Sequence, residues 1–122
     1  MKLKGFFIFK AVISLVDGIL LLIIPVSYMN FIGVTLGFEG AIGAQFFGTM
    51  LIGVGLICWL SKNETPKTAG NILLSLFIAD TIGFILALKI QLAGLMNPMG
   101  WIVVAIWFLL ALGLGYFRFM KK

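Results

Sequence analysis

The 122 residues are 62% hydrophobic and 11% charged, with nine Lys and Arg against four Asp and Glu and a net charge of +5. Soluble domains carry about a quarter charged residues, so this composition points to a membrane protein instead. With no histidine and a single cysteine, Cys58, the chain excludes imidazole metal sites, cysteine-pair sites, His-based triads and an internal disulfide.

Four stretches poor in Lys and Arg, at about 6–25, 41–60, 70–89 and 99–117, can each cross a membrane. They match a hydrocarbon core of roughly 30 Å at about 1.5 Å per residue. Little chain is left over, which predicts an all-α fold: one integral membrane four-helix bundle over 1–122 and no extramembrane domain.

The first stretch, FFIFKAVISLVDGILLLIIP, follows Lys2 and Lys4. Its apolar run exceeds that of a secretory signal and no small-residue cleavage pattern follows, so it reads as a retained transmembrane helix ending at Pro25. Lys10, Ser14 and Asp17 share one face at spacings of four and three. Lys10 is expected to snorkel toward the near interface, about 10 Å from Asp17 and too far for an ion pair. The segment 26–40 interleaves Tyr28, Phe31 and Phe38 with Gly33, Gly37 and Gly40, and Glu39 is its only charge. Aromatics of this kind favour the headgroup level, so a short interfacial helix or turn is expected there.

The second stretch, AIGAQFFGTMLIGVGLICWL, gives with its flank a smooth strip of Gly40, Ala44, Gly48 and Gly55, a helix-packing face against which a neighbouring backbone can approach closely. Gln45 and Thr49 lie beside the strip. Glu39, at the mouth of this helix, is a solvated charge or the point where a proton or cation would enter. SKNETPKT is a polar turn. The third stretch, NILLSLFIADTIGFILALK, carries Asp80, Thr81 and Gly83, and after QLAGLMNPMG the proline at 98 can open helix four. In WIVVAIWFLLALGLGYF, Trp107 falls near the midplane, where its indole N–H needs an acceptor such as Asp17 or Asp80. LVDGI at 15–19 resembles IADTI at 78–82, and Gly53/Gly55 match Gly113/Gly115, the traces a two-hairpin repeat would leave.

Eight of the nine basic residues (Lys2, Lys4, Lys10, Lys62, Lys67, Arg118, Lys121 and Lys122) share the side of the termini and the middle loop, and Lys89 is alone opposite. The positive-inside rule therefore puts both termini in the cytoplasm, and the positive charge needs no nucleic-acid partner.

Asp17 and Asp80 each sit near the middle of an apolar run. A carboxylate at that depth is expensive, and Arg118 lies about 15 Å from the midplane by helix rise. At least one of the two is thus expected to be protonated and to donate a hydrogen bond. As a site, Asp17 and Asp80 would bind a proton or ligand with Gln45, Thr49, Thr81 and Trp107. As a structural device, neutral carboxyls would staple helices together.

The first helix closing with IIP, the acid entering the second and FFGTMLIGVGLICWL before a basic turn resemble the DoxX-like small four-helix bacterial membrane proteins. The likeness covers helices one and two best and implies the fold more than an activity; a basic residue often found there stands here as Gln45 or Phe46. The expected function is that of a non-enzymatic inner-membrane accessory, scaffold or lipophilic-ligand-binding protein, with no metal or cofactor. Its partners would be the bilayer, a second copy or a larger membrane protein. The alternative is a minimal proton- or cation-coupled transporter or channel subunit acting as an oligomer.

Overall fold

The structure, a computed structural model, describes residues 2–120; Lys121 and Lys122 of the basic rim lie outside the described residues. Every regular element among the described residues is helical: α1 (Leu3–Ile23), α2 (Pro25–Phe31), α3 (Phe38–Leu60), α4 (Pro66–Leu92), α5 (Gly100–Gly115) and a π-helical turn over Tyr116–Met120. Four spans, Leu3–Ile23, Phe38–Leu60, Pro66–Leu92 and Gly100–Met120, are long and apolar enough to cross a membrane. These four apolar helices make the chain a multi-pass membrane protein in its architecture.

Local chemistry sets the ends. Pro25 has no N–H for the Leu21 carbonyl and restrains Ile24, so α1 stops at Ile23 and Pro25 opens α2. The segment after α1 is thus the short helix expected as one of two forms. α2 closes with Gly33 N–H on Asn30 O and Val34 N–H on Met29 O, and α4 closes with Gly94 N–H on Gln91 O and Leu95 N–H on Ile90 O. Both are Schellman caps, which require the left-handed backbone that Gly33 (φ 83°) and Gly94 (φ 77°) adopt. α4 starts earlier than its apolar run, because Thr65 accepts from Thr68 N–H and Pro66 takes the first helical position. Pro98 stands ahead of α5 rather than in its first turn; the Asn97 side chain accepts from Met99 N–H and its carbonyl from Gly100 N–H.

The chain divides between Asn63 and Glu64 into two compact units. In the first, α1 packs on α3 and α2 touches both. Backbones meet at one crossing: a Cβ on Gly18 would stand 2.6 Å from Gly48 O, and one on Gly48 would stand 2.6 Å from Gly18 O. About two turns further along α3, Gly55 receives Leu15, whose Cγ lies 2.7 Å from where a Cβ would be. Phe7, Ala11 and Cys58 are fully buried.

In the second unit α4 packs on α5. Gly115 receives Phe77 at 2.9 Å from its absent Cβ, and Gly83 lies under the six-membered ring of Trp107 at 2.5 Å. Each hairpin therefore seats a bulky side chain that precedes its aspartate by two or three residues on a glycine of the second helix. Gly83→Ala should lower stability by about 1 kcal/mol, since the Trp107 ring must move out of a packed position. Thermal unfolding in detergent measures this, with Gly53→Ala, where nothing lies within 4 Å, as the control that loses no stability.

Candidate functional site

Asp17 lies about 21 Å along α1 from Leu3 and about 9 Å from Ile23, so it sits in the C-terminal third of its helix. It is half-buried, and its Oδ1 accepts a hydrogen bond from the Tyr28 hydroxyl at 3.1 Å. Eleven residues of straight helix would hold the two about 16 Å apart, so the bond exists because the chain reverses at Ile24–Pro25. A phenol O–H can donate to that oxygen whether or not the other carboxyl oxygen carries a proton. Burial first, then the neighbouring Asp17 carboxyl by its charge and hydrogen bond, pushes the Tyr28 phenol above its ordinary value. Tyr28 is the residue that sequence reasoning placed only as an interfacial aromatic. Its signal was a tyrosine three residues past a helix-ending proline, within reach of a carboxyl on the preceding helix.

Lys10, Ser14 and Asp17 occupy a flank of α1 about 100° around from the residues that meet α3. Lys10 and Ser14 are each 3% exposed, so the Lys10 chain does not snorkel along lipid: it is enclosed by protein and is not without a partner. The buried stripe is more polar than a lipid-facing reading allows.

Gln45 and Thr49 serve α3 and the end of α1. The Gln45 amide donates to Leu22 O at 3.0 Å, one of the last carbonyls of α1, which have no partner within their own helix. Thr49 donates to Gln45 O of its own helix at 3.0 Å. Gln45→Leu should lower stability by about 0.6 kcal/mol, the usual size of an interhelical hydrogen bond in a membrane, whereas Thr49→Val should change little. Chemical or thermal unfolding of the purified variants in one detergent gives both values. Gly48 and Gly55 are buried against α1, while Gly40 is exposed and meets Leu36 of the preceding loop, and Ala44 is half-buried. Glu39 stands exposed in the first turn of α3, where an acid complements the helix dipole.

In the second unit Asp80 is 4% exposed and central in α4, about 21 Å from Pro66 and about 18 Å from Leu92. It is not without a partner. The adjacent Thr81 hydroxyl is buried and makes no hydrogen bond among the described residues. Trp107 presents its ring to Gly83. Near the α4–α5 loop, the buried Gln91 donates to Asn97 O at 3.3 Å and its Oε1 presses on Gly100. No group of three or more His, Cys, Asp or Glu suited to a metal occurs among the described residues. No protein family, curated protein or solved structure matches this chain.

Proposed function

We propose that the chain is a non-enzymatic accessory protein of the bacterial inner membrane, a four-helix bundle of the DoxX-like type with both termini cytoplasmic. It would hold a lipophilic molecule or a larger membrane partner against its apolar faces, with the bilayer as its constant partner and no nucleic acid. The observation that carries this reading is the Gly18–Gly48 crossing. Backbone atoms fill the seam between α1 and α3 there, which favours a packed scaffold over a solute path between these two helices. Asp17 gives one oxygen to Tyr28 of the same chain and ties the short helix α2 to the span. A carboxyl used in this way braces a scaffold, and the second unit adds one further protonatable carboxyl, Asp80, beside the Thr81 hydroxyl.

A second reading has one observation in its favour. Asp17 is only half-buried and faces a hydroxyl, a donor–acceptor pair that could pass a proton in a minimal transporter or channel subunit. Reconstitution separates the two. An accessory protein should give no proton flux above empty liposomes, and Asp17→Asn and Asp80→Asn should alter only stability. Flux that disappears in either variant, from a protein whose detergent-extracted mass is oligomeric, would overturn the accessory reading.

A further inference from the structure

Asp17 commits only one of its two oxygens. Oδ1 accepts from the Tyr28 hydroxyl, while Oδ2 makes no hydrogen bond among the described residues and is not enclosed by protein. No basic side chain pairs with this carboxyl among the described residues. Lys10 stands about 10 Å back along α1, α2 carries no charge, and the single charge of α3 is Glu39. Ile13 and Leu20, at spacings of four and three from Asp17, share its face of α1 and are partly exposed. An open carboxyl oxygen therefore stands in apolar surroundings, with no positive partner supplied by its own hairpin.

An acid within a span normally marks a site with a specific partner. What stands unfilled here is made of acceptors: Oδ2, and the lone pairs of the Tyr28 oxygen, whose proton is already given to Oδ1. Two such oxygens are too few for a hard metal ion, which takes about six or more. An ammonium brings its own N–H donors and needs only such a pair of acceptors. We propose that Asp17, with Tyr28, binds the primary ammonium group of a lipophilic amine whose alkyl chain lies along Ile13 and Leu20. The charge-assisted N–H···O bond to Oδ2 balances the carboxylate, and the phenol holds Oδ1 so that Oδ2 meets the ligand. The assignment rests on the reading of the chain as a holder of lipophilic molecules and names the group by which one is recognised. Free alkylamines and the ethanolamine headgroup of phospholipids are the two sources of that group.

The test uses the full chain in an uncharged detergent at neutral pH, where a primary alkylamine is charged. Tm is followed as decylamine, decyltrimethylammonium, decanol, phosphatidylethanolamine or phosphatidylcholine is added. A ligand that binds only the folded state raises Tm with its concentration. Decylamine should raise Tm. Decyltrimethylammonium, equally charged but without N–H donors, should need several-fold more, and decanol should give no rise. Asp17→Asn, which keeps an acceptor for the phenol but not the charge, should lose the decylamine response. Glu39→Gln removes the exposed acid of the same hairpin and should respond like the wild type. A rise with phosphatidylethanolamine and not phosphatidylcholine would assign the site to headgroups, and a rise with decylamine alone would assign it to free amines. Equal responses of wild type and Asp17→Asn, equal effects of decylamine and decanol, or no rise with either primary amine would overturn the assignment. Proton flux in liposomes would instead overturn the accessory reading, so the two failures are distinguishable.

Discussion

Replacing Gly18 by alanine is expected to destabilise the α1–α3 hairpin by about 1–3 kcal/mol, and leucine at the same position by more. The new Cβ would meet Gly48 O at 2.6 Å, Ile52 Cγ1 at 2.8 Å and Ile52 N at 2.9 Å. Two of those three atoms are backbone, which cannot swing aside, so the helices themselves must separate. Separation then lifts Leu15 from Gly55, because the same pair of helices carries both contacts. Gly48→Ala should act alike, since its Cβ would meet Gly18 O, Leu21 Cβ and Leu22 N. The two substitutions should be less than additive: once one Cβ has parted the helices, the second finds room. Gly43→Ala is the control. Nothing lies within 4 Å of that position, and alanine gains up to about 1 kcal/mol of helix propensity over glycine. Reversible unfolding in mixed detergent micelles measures all of these variants. Equal stability of Gly18→Ala and Gly43→Ala would mean that α1 and α3 do not cross at this point.

The spans were legible because apolar runs of membrane length have few other readings. That Gly48 and Gly55 share a face was legible too, as residues seven apart return to one helix face; that the first helix meets it was not. Spacing alone extended the strip to Gly40 and Ala44. Pro25 ends α1 near that level, and the loop residue Leu36 takes the place beside Gly40. The start of α4 was written in the sequence as Thr65–Pro66, a capping residue followed by a proline at the first helical position, but turn-rich SKNETPKT concealed it. The mate of Asp17 was not legible. Periodicity describes one helix at a time, whereas Tyr28 reaches Asp17 only through a chain reversal whose angle no local pattern specifies. For the same reason the burial of Lys10 escaped a reading that knew only its distance from the helix end.

Removing the Tyr28 hydroxyl is expected to weaken the protein by about 1 kcal/mol at neutral pH, and by up to about 3 kcal/mol if Asp17 is ionised there. Tyr28→Phe keeps the ring, so the change isolates the bond to Asp17. Asp17→Asn retains an oxygen acceptor for the phenol and should be milder than Asp17→Leu, which leaves the hydroxyl without one. Alkaline pH gives the sharper test. An unfolded tyrosine loses its proton near pH 10. In the folded chain, burial and the adjacent Asp17 hold the phenol proton to higher pH. Below about 10 both states are protonated and the contribution is complete; above it the unfolded chain holds fewer protons, so stability falls as pH rises. Tyr28→Phe has no such proton. The stability gap between wild type and Tyr28→Phe should therefore be constant from neutral pH to about 9 and narrow above about 10. Lysines titrate in the same range but are common to both proteins and cancel in the difference. A gap that stays level through that range would mean that Tyr28 is not held against Asp17, and that α2 moves free of the span.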